Sequence, residues 1–357
     1  MKELLRELQE MIAQDGPISL ERYMSLALSH PCYGYYTTRE PFGAAGDFVT
    51  APEISQMFGE LIGLWAVEIW RMGGAPAPMR LVELGPGRGT LMADALRVIR
   101  NAANESIEVH LVETSPRLME IQRATLTNYR APVRWHQSTE DIPPGAAIYI
   151  ANEFFDALPV QHFIRTEHGW CERLVGLDDH GKLHWGLRPV AASAVRFAAP
   201  QGSVIEISPQ ARKIVRILSA RITSQGGALL IIDYGYTETQ TGETLQAVRN
   251  HRFVDPLDAP GESDLTAQVD FTALGQETQA AGARVHGPVT QAAFLLSLGL
   301  AQRAQMLKRK ASPEQAKTID AAFVRLTDCS KPTRMGELFK AMAITQQNMQ
   351  FVPGFAD

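Results

Sequence analysis

The sequence is poor in the features that mark disulfide-rich, zinc-binding and membrane-spanning proteins. Only three of its 357 residues are cysteines, Cys32, Cys171 and Cys329, and none forms a C-x-x-C pair. This scarcity argues against a disulfide framework and against a zinc site. The longest apolar runs, such as 61–66 and 228–232, are far too short to span a bilayer. We therefore expect reduced thiols, no bound metal and no membrane insertion.

The chain also lacks an excess of either charge. Its 34 basic and 39 acidic residues leave a formal charge of −5, which gives no general attraction for nucleic acid or anionic membranes. Residues 2–14 combine charged side chains with leucines in an amphipathic pattern, unlike a signal peptide, and the acidic residues Glu3, Glu7 and Glu10 argue against a transit peptide. These features predict a cytoplasmic protein without a nucleic-acid partner.

The pattern of the chain changes near residue 75. Before this point the sequence predicts helices over 20–29 and 53–72, and a Gly/Pro-rich linker follows at 73–78. Beyond the linker, short apolar strands alternate with helices, which predicts an α/β fold with a parallel sheet. The predicted strands of this sheet are 80–84, 107–112, 133–135, 146–151 and 228–233. We expect an N-terminal helical cap with a cleft loop over 1–75 and an α/β core over 76–357.

Two segments interrupt the alternation of strands and helices. Residues 163–204 contain strand patterns around His-Gly turns and predict an inserted antiparallel β ribbon. The second insertion, 235–270, begins with a long loop over 235–264, of a kind that is uncommon unless it is functional. Helices resume near residue 271, and 335–345 is predicted to be the last strand of the sheet.

The strongest local pattern is the glycine-rich turn after the first predicted strand, LVELGPGRGT at 81–90. A nicotinamide-binding loop, G-x-G-x-x-G, would require glycine where this chain has Thr90. The pattern E-x-G-x-G-x-G is instead typical of Rossmann-like class I methyltransferases, which bind S-adenosyl-L-methionine at this edge of the sheet. The alternative is a glycine turn without a ligand. The residues predicted here to bind the cofactor are Glu83, Gly85, Gly87 and Gly89.

A carboxylate, Glu113, ends the second predicted strand. Its two oxygens can accept hydrogen bonds from both ribose hydroxyls of an adenosyl group. The spacing from Gly85 fits one strand–helix–strand unit. A glutamate at a strand end is often only a solvated cap, but the glycine loop upstream leads us to interpret Glu113 as a cofactor-binding residue.

The fourth predicted strand ends in the run NEFFDALP at 152–159, where a class I methyltransferase faces its acceptor. Asn152 could orient an amine or guanidinium nitrogen, and Glu153 or Asp156 could neutralise a cationic acceptor. The alternative is that Asn152 caps the following turn and that Phe154 and Phe155 belong to the core.

Another candidate, Asp47, lies in a glycine-flanked loop that could fold over a cleft. In the alternative, Asp47 or Thr50 only caps the helix predicted to begin near residue 53. Two further segments carry acidic residues. For 264–271 helix capping by Asp270 or Thr266 is the simpler interpretation, and 233–235, at the end of the fifth predicted strand, faces the cleft edge by topology. The candidate catalytic residues are Glu153, Asp156, Asn152 and Asp47.

Six motifs in order resemble those of the MidA family, whose mitochondrial members are arginine methyltransferases that assist complex I assembly. They are HPxxGYY at 30–36, GDFxTxPEISQxFGE at 46–60, ELGPGRGT at 83–90, NEFFDALP at 152–159, IDYG at 232–235 and DLT at 264–266. The resemblance covers about 15–345 and implies symmetric dimethylation of an arginine in a complex I core subunit related to hydrogenase large subunits. The family usually has histidine at the position of Gln268, so no role of that histidine carries over.

Two other functions remain open at this stage. A small-molecule N- or O-methyltransferase would share the cofactor loop but would have a closed apolar pocket instead of a peptide groove. An assembly chaperone could bind the cofactor without turnover. A monomer and a homodimer are both compatible with the sequence.

Overall fold

The computed structural model describes residues 3–39, 50–102, 106–129, 131–195 and 197–355. The helices are α1 Glu3–Asp15, α2 Leu20–Ser29, α3 Tyr35–Thr38, α4 Ala51–Ile54, α5 Gln56–Met72, α6 Thr90–Ala102, α7 Pro116–Leu126, α8 Pro209–Gln225, α9 Phe271–Ala280, α10 Gln291–Ser297, α11 Leu300–Lys308, α12 Pro313–Thr327 and α13 Met335–Leu338. The strands are β1 Ile18–Ser19, β2 Met79–Leu84, β3 Ile107–Val112, β4 Val133–His136, β5 Ala147–Asn152, β6 Gln161–Thr166, β7 Gly169–Leu177, β8 Leu183–Pro189, β9 Val204–Ile207, β10 Gly227–Tyr236, β11 Gln246–Arg249, β12 Arg252–Val254, β13 Asp264–Thr266, β14 Val269–Asp270, β15 Arg284–Thr290 and β16 Phe339–Thr345.

These elements form two compact units, each assembled from three separate parts of the chain. The first unit comprises Met1–Phe48, Asp156–Lys213 and Glu238–Gln268, and the second comprises Val49–Phe155, Ile214–Thr237 and Val269–Asp357. The units therefore do not divide at the linker near residue 75, because α5 packs along α6 within the second unit.

The second unit is built on a sheet with the strand order β15-β16-β10-β5-β2-β3-β4. Strands β4, β3, β2, β5 and β10 run parallel to one another, and β16 runs antiparallel to β10 and to β15. The predicted parallel α/β sheet is thereby confirmed. The carboxyl ends of β2, β3, β5 and β10 meet at one edge, and this is where open parallel sheets bind their ligands.

Two predicted elements of the second unit are shorter than expected. The helix predicted over 53–72 is divided into α4 and α5 at Ser55, whose extended backbone interrupts the helix and whose hydroxyl accepts from Met57 N at 3.2 Å. The strand predicted over 335–345 begins only at Phe339. Residues 335–338 form α13 instead, in which Gly336 packs so closely on the end of α12 that a Cβ there would lie 2.5 Å from the Thr327 carbonyl carbon.

The first unit contains the predicted antiparallel ribbon, enlarged into a sheet with the order β1-β7-β6-β9 and with β8 paired to β7. Helices α1 and α2 bury Leu8, Leu20 and Tyr23 in the core of this unit. The segment 235–264, predicted to be a loop, is partly ordered as the antiparallel strands β11, β12 and β13. Throughout the described ranges, no helix is both long enough and apolar enough to cross a membrane.

Candidate active site

The glycine-rich turn joins β2 to α6 at the ligand-binding edge of the second unit's sheet. Its three glycines all have positive φ, +60° at Gly85, +53° at Gly87 and +79° at Gly89. The turn is held by hydrogen bonds from Gly85 N to Val112 O at 3.0 Å and from Gly89 N to Pro86 O at 2.7 Å. A Cβ on Gly85 would lie 2.8 Å from Phe154 Cδ2. Glycine is therefore favoured at position 85 by its backbone conformation, and any side chain there would also force the turn or the Phe154 ring to move.

Glu83 lies in β2, two residues before this turn, and is almost fully buried at 3% exposure. Its Oε2 has no hydrogen-bond partner among the residues that the structure describes. Burial raises the pKa of the Glu83 carboxyl to about 8. A buried, unsatisfied carboxyl is unfavourable by itself, and a cationic ligand would compensate for it. The chemistry of this site fits the ammonium of S-adenosylmethionine, and the binding of the cofactor by Glu83 stays a prediction.

Glu113, at the end of β3, is a buried carboxyl held by three donors. Its Oε1 accepts from the backbone N–H groups of Thr114 and Ser115, each at 2.8 Å, and its Oε2 accepts from Gln122 Nε2 at 3.1 Å. Burial raises the pKa of Glu113, although these hydrogen bonds partly oppose the rise. The carboxyl is thus fixed in orientation, and its binding to the ribose stays a prediction.

The short helix α4 contacts the glycine turn from a different part of the second unit. Thr90 Oγ1 donates to Glu53 Oε1 at 2.6 Å, and Arg88 Nη1 lies 3.8 Å from Glu53 Oε2. Arg88 belongs to the turn, and Thr90 is the first residue of α6. Glu53 thereby ties α4 to the predicted cofactor loop, a role that sequence reasoning did not assign to it.

Asn152 and Glu153 are consecutive residues at the end of β5. Glu153 has a positive φ of +49°, which is uncommon for a residue with a side chain. Its Oε1 accepts from Ala51 N at 2.9 Å and from Asn152 Nδ2 at 3.3 Å. The other amide atom, Asn152 Oδ1, is buried and has no hydrogen-bond partner within the described part of the chain. One hydrogen-bond acceptor is therefore available at this end of the strand.

Asp233, in β10, holds the turn that follows Glu153. Its carboxylate is fully buried; Oδ2 accepts from Phe154 N at 3.2 Å and Phe155 N at 2.9 Å, and Oδ1 accepts from Tyr234 N at 2.9 Å. The two hydrogen bonds from Phe154 N and Phe155 N stabilise the turn in which Glu153 adopts its strained backbone, and the bond from Tyr234 N orients the carboxylate. The only indication of this role in the sequence was that Asp233 ended a predicted strand.

The remaining candidates belong to the first unit or lie outside the described residues. Asp156 belongs to the first unit, where its backbone carbonyl accepts from Ala267 N at 2.9 Å. Tyr36 donates to Asp264 Oδ1 at 2.8 Å, and its pKa is raised well above the usual range by burial and by the charges of Asp264 and Asp156. Asp47 lies outside the described residues.

We expect Glu113→Ala to weaken S-adenosylmethionine and S-adenosylhomocysteine alike, because both present the same ribose hydroxyls. Loss of a charge-assisted hydrogen bond corresponds to about 10- to 150-fold in affinity. Calorimetric titration of both ligands measures the effect, with Glu113→Gln as the variant that preserves shape. A loss confined to the methylated cofactor would show that Glu113 does not bind the ribose.

Comparison with known proteins supports the identity suggested by this geometry. Residues 61–289 match the family described as "Putative S-adenosyl-L-methionine-dependent methyltransferase". The mitochondrial protein arginine methyltransferase NDUFAF7 of Danio rerio is 40% identical, over 96% of this chain and 87% of that protein. The Homo sapiens protein of the same name is 38% identical, over 96% of this chain and 83% of that protein.

A solved structure agrees with both the fold and the cofactor. It is a crystal structure of a Burkholderia thailandensis protein bound to S-adenosyl-homocysteine, 30% identical with a TM-score of 0.87, and the match covers 99% of this chain and 95% of that one. The predicted Rossmann-like methyltransferase fold is therefore confirmed. The family match extends over more than half of this chain. The chain therefore belongs to the MidA family of S-adenosylmethionine-dependent methyltransferases.

Proposed function

We propose that this protein transfers the methyl group of S-adenosylmethionine to an arginine side chain of a protein substrate. Relatives at 38–40% identity are named protein arginine methyltransferases. The observation that carries the proposal is the buried Asn152 Oδ1, an acceptor without a described partner, beside the carboxylate of Glu153. Such a pair suits a cation rich in N–H donors, as guanidinium is.

The second unit supplies separate groups for the two reactants. We assign cofactor binding to Glu83, the glycine turn and Glu113. When bound, S-adenosylmethionine supplies a methyl group already activated by its positive sulfur, so alignment contributes much of the rate. We assign the acceptor to Asn152 and Glu153, with Asp233 and Ala51 positioning them through their hydrogen bonds.

Asn152 and Glu153 have different tasks in this scheme. Asn152 Oδ1 accepts an N–H of the guanidinium and so directs a nitrogen towards the methyl group. Glu153 orients the amide by accepting from Asn152 Nδ2, and its charge stabilises the cationic acceptor and favours departure of a proton from the methylated nitrogen. Asp156 and Asp47 remain proposed as further carboxylates for this reaction.

Glu153→Gln should leave cofactor affinity nearly unchanged and lower the rate of methyl transfer by at least about 100-fold, since loss of general acid–base assistance or alignment has effects of this size. Single-turnover methylation, measured beside calorimetric cofactor binding, separates the two effects. Asp156→Asn is the companion variant, and Glu120→Gln on α7 serves as a control. Full activity in Glu153→Gln, in Asp156→Asn and in the variant that combines them would contradict the assignment of the acceptor site.

The substrate can be identified by incubating the purified enzyme and labelled S-adenosylmethionine with a lysate. We propose symmetric dimethylarginine on a core subunit of respiratory complex I as the product, on the strength of the family resemblance. Mass spectrometry of the labelled proteins would locate the modified arginine. Label found only in small molecules would favour a small-molecule methyltransferase, and cofactor binding without any transfer would favour an assembly chaperone.

A further inference from the structure

Gln122, on α7, connects two parts of the proposed cofactor site that are far apart in sequence. The residue is fully buried. Its Nε2 donates to Gly87 O at 2.8 Å and to Glu113 Oε2 at 3.1 Å. One nitrogen therefore provides both donors, one for the carbonyl of the glycine turn and one for the carboxyl at the end of β3.

The orientation of this amide is determined by a third partner. Trp135 Nε1 lies 2.9 Å from Gln122 Oε1, and an indole N–H can only donate. The atom facing the indole must therefore be the amide oxygen, which directs the amide nitrogen towards Gly87 and Glu113. Trp135 is itself covered by Arg123, whose guanidinium carbon lies 4.7 Å from the ring centroid.

We propose that Gln122 is a positioning residue for the cofactor, which sets the distance between the glycine turn and the ribose-binding carboxyl. This inference rests on the proposed role of Glu113. Without the amide, two electron-rich oxygens, Gly87 O and Glu113 Oε2, would lie near each other with no donor between them. A buried acceptor that loses its donor is unfavourable, so the turn and the carboxyl would move from the arrangement that the cofactor requires.

Two substitutions of Gln122 test the proposal by their different responses to pH. Gln122→Met keeps the approximate length and burial but removes both donors, and it should weaken S-adenosylhomocysteine about 10- to 100-fold at every pH. Gln122→Glu places a second carboxyl beside Glu113, so its affinity relative to wild type should be lowest near pH 8. The affinity of Gln122→Glu relative to wild type should rise again towards pH 6, because the introduced carboxyl is then protonated and again offers a donor.

A matched control separates positioning from stability. Gln291, on α10, is also fully buried and donates to a backbone carbonyl, Leu326 O, at 3.0 Å. Gln291→Met should lower the melting temperature without changing cofactor affinity. If Gln122→Met lowers stability in the same way but leaves affinity unchanged, or if the Gln122→Glu ratio does not vary with pH, the proposal is overturned.

A double-mutant cycle distinguishes failure of this proposal from failure of the Glu113 assignment. Because Gln122 is proposed to act in part through Glu113, adding Gln122→Met to Glu113→Ala should weaken binding less than it does in the wild type. Full additivity would overturn the positioning role even where Glu113→Ala alone reduces affinity. Unchanged affinity in Glu113→Ala would instead remove the ribose assignment on which the proposal rests.

Discussion

We expect Glu83→Gln to have opposite effects on stability and on cofactor binding. The cofactor-free variant should be more stable than wild type at pH 8 and equally stable near pH 5. Its affinity for S-adenosylhomocysteine should nevertheless fall by at least about tenfold, because the neutral amide cannot pair with the cofactor's ammonium as a carboxylate does.

The sign of the stability change follows from the pKa of Glu83, which burial raises from 4.5 to about 8. Between these values the unfolded chain has lost the proton and the folded protein retains it. The unfolded state binds fewer protons there, so the free energy of unfolding decreases as the pH rises from 4.5 and levels off above 8. Above pH 8 the free energy of unfolding is lower by on the order of 5 kcal/mol, since each pH unit between the two pKa values contributes about 1.4 kcal/mol. The Glu83→Gln variant has no proton to lose there and does not show this decrease.

Thermal unfolding of wild type and variant between pH 5 and pH 9 measures this effect. Glu60→Gln is the contrasting control, because Glu60 is equally buried but is paired with Arg303, with Nε 2.7 Å from Oε2. That variant should be less stable than wild type. A Glu83→Gln protein with no stability gain at pH 8 would contradict the prediction.

Proton release on binding gives an independent measurement at Glu83. If the bound ammonium ionises this carboxyl, S-adenosylhomocysteine binding near pH 7 should release about one proton. The apparent binding enthalpy should then differ between phosphate and Tris buffers, whose ionisation enthalpies differ. Glu83→Gln should abolish that difference, whereas a buffer dependence that persists in the variant would assign the proton to another group.

Gly85→Val should abolish measurable binding of S-adenosylmethionine. The substituted residue would have to keep a φ of +60°, which costs about 1–2 kcal/mol for a residue with a side chain. Its Cβ would also lie 2.8 Å from the ring of Phe154, so the turn or the ring must move. The new methyl groups would further occupy the space in which the cofactor approaches the backbone.

The control for Gly85→Val is a glycine that also has a positive φ but has open surroundings. Gly74, in the same unit, has a φ of +86°, and a Cβ added there would have nothing within 4 Å, so Gly74→Val reproduces the strain alone. Gly85→Ala provides a milder change if the valine variant does not fold. Calorimetry on folded protein decides the result: unchanged affinity in both Gly85 variants would place the cofactor elsewhere.

Much of the second unit could be predicted from the sequence, because its signals are local. Strands β2, β3 and β5 are short apolar runs bounded by turns, and α7 begins at Pro116, after Ser115, whose side chain accepts from Leu118 N at 3.3 Å. The glycine turn was found in the same way, since positive φ restricts the choice of residue. Local patterns therefore predicted the parallel sheet and the cofactor loop.

The sequence missed the residues that act through long-range contacts. Glu53 reaches Thr90 across 37 positions, and Asp233 reaches Phe155 across 78. Gln122 occupies an ordinary helical position, and nothing in its neighbourhood indicates a buried amide with three partners. Hydrogen bonds of this kind leave no periodic pattern, because each depends on where two separate segments are placed by the rest of the fold.

By itself, the sequence determined the class of fold and the cofactor, since apolar periodicity, a glycine turn and a strand-end carboxylate are properties of consecutive residues, and the resemblance of its ordered motifs indicated the family. Only the tertiary structure decided the division into two units, the break at Ser55 and the surroundings of each carboxylate. Glu83, Glu113 and Asp233 are all glutamate or aspartate near strand ends, yet Glu83 has an oxygen without a described partner, whereas the other two accept from three donors each. Burial and hydrogen bonding arise from packing between distant segments, and they decide which carboxylate has an oxygen left for a cation and which ones are already held by neighbouring donors.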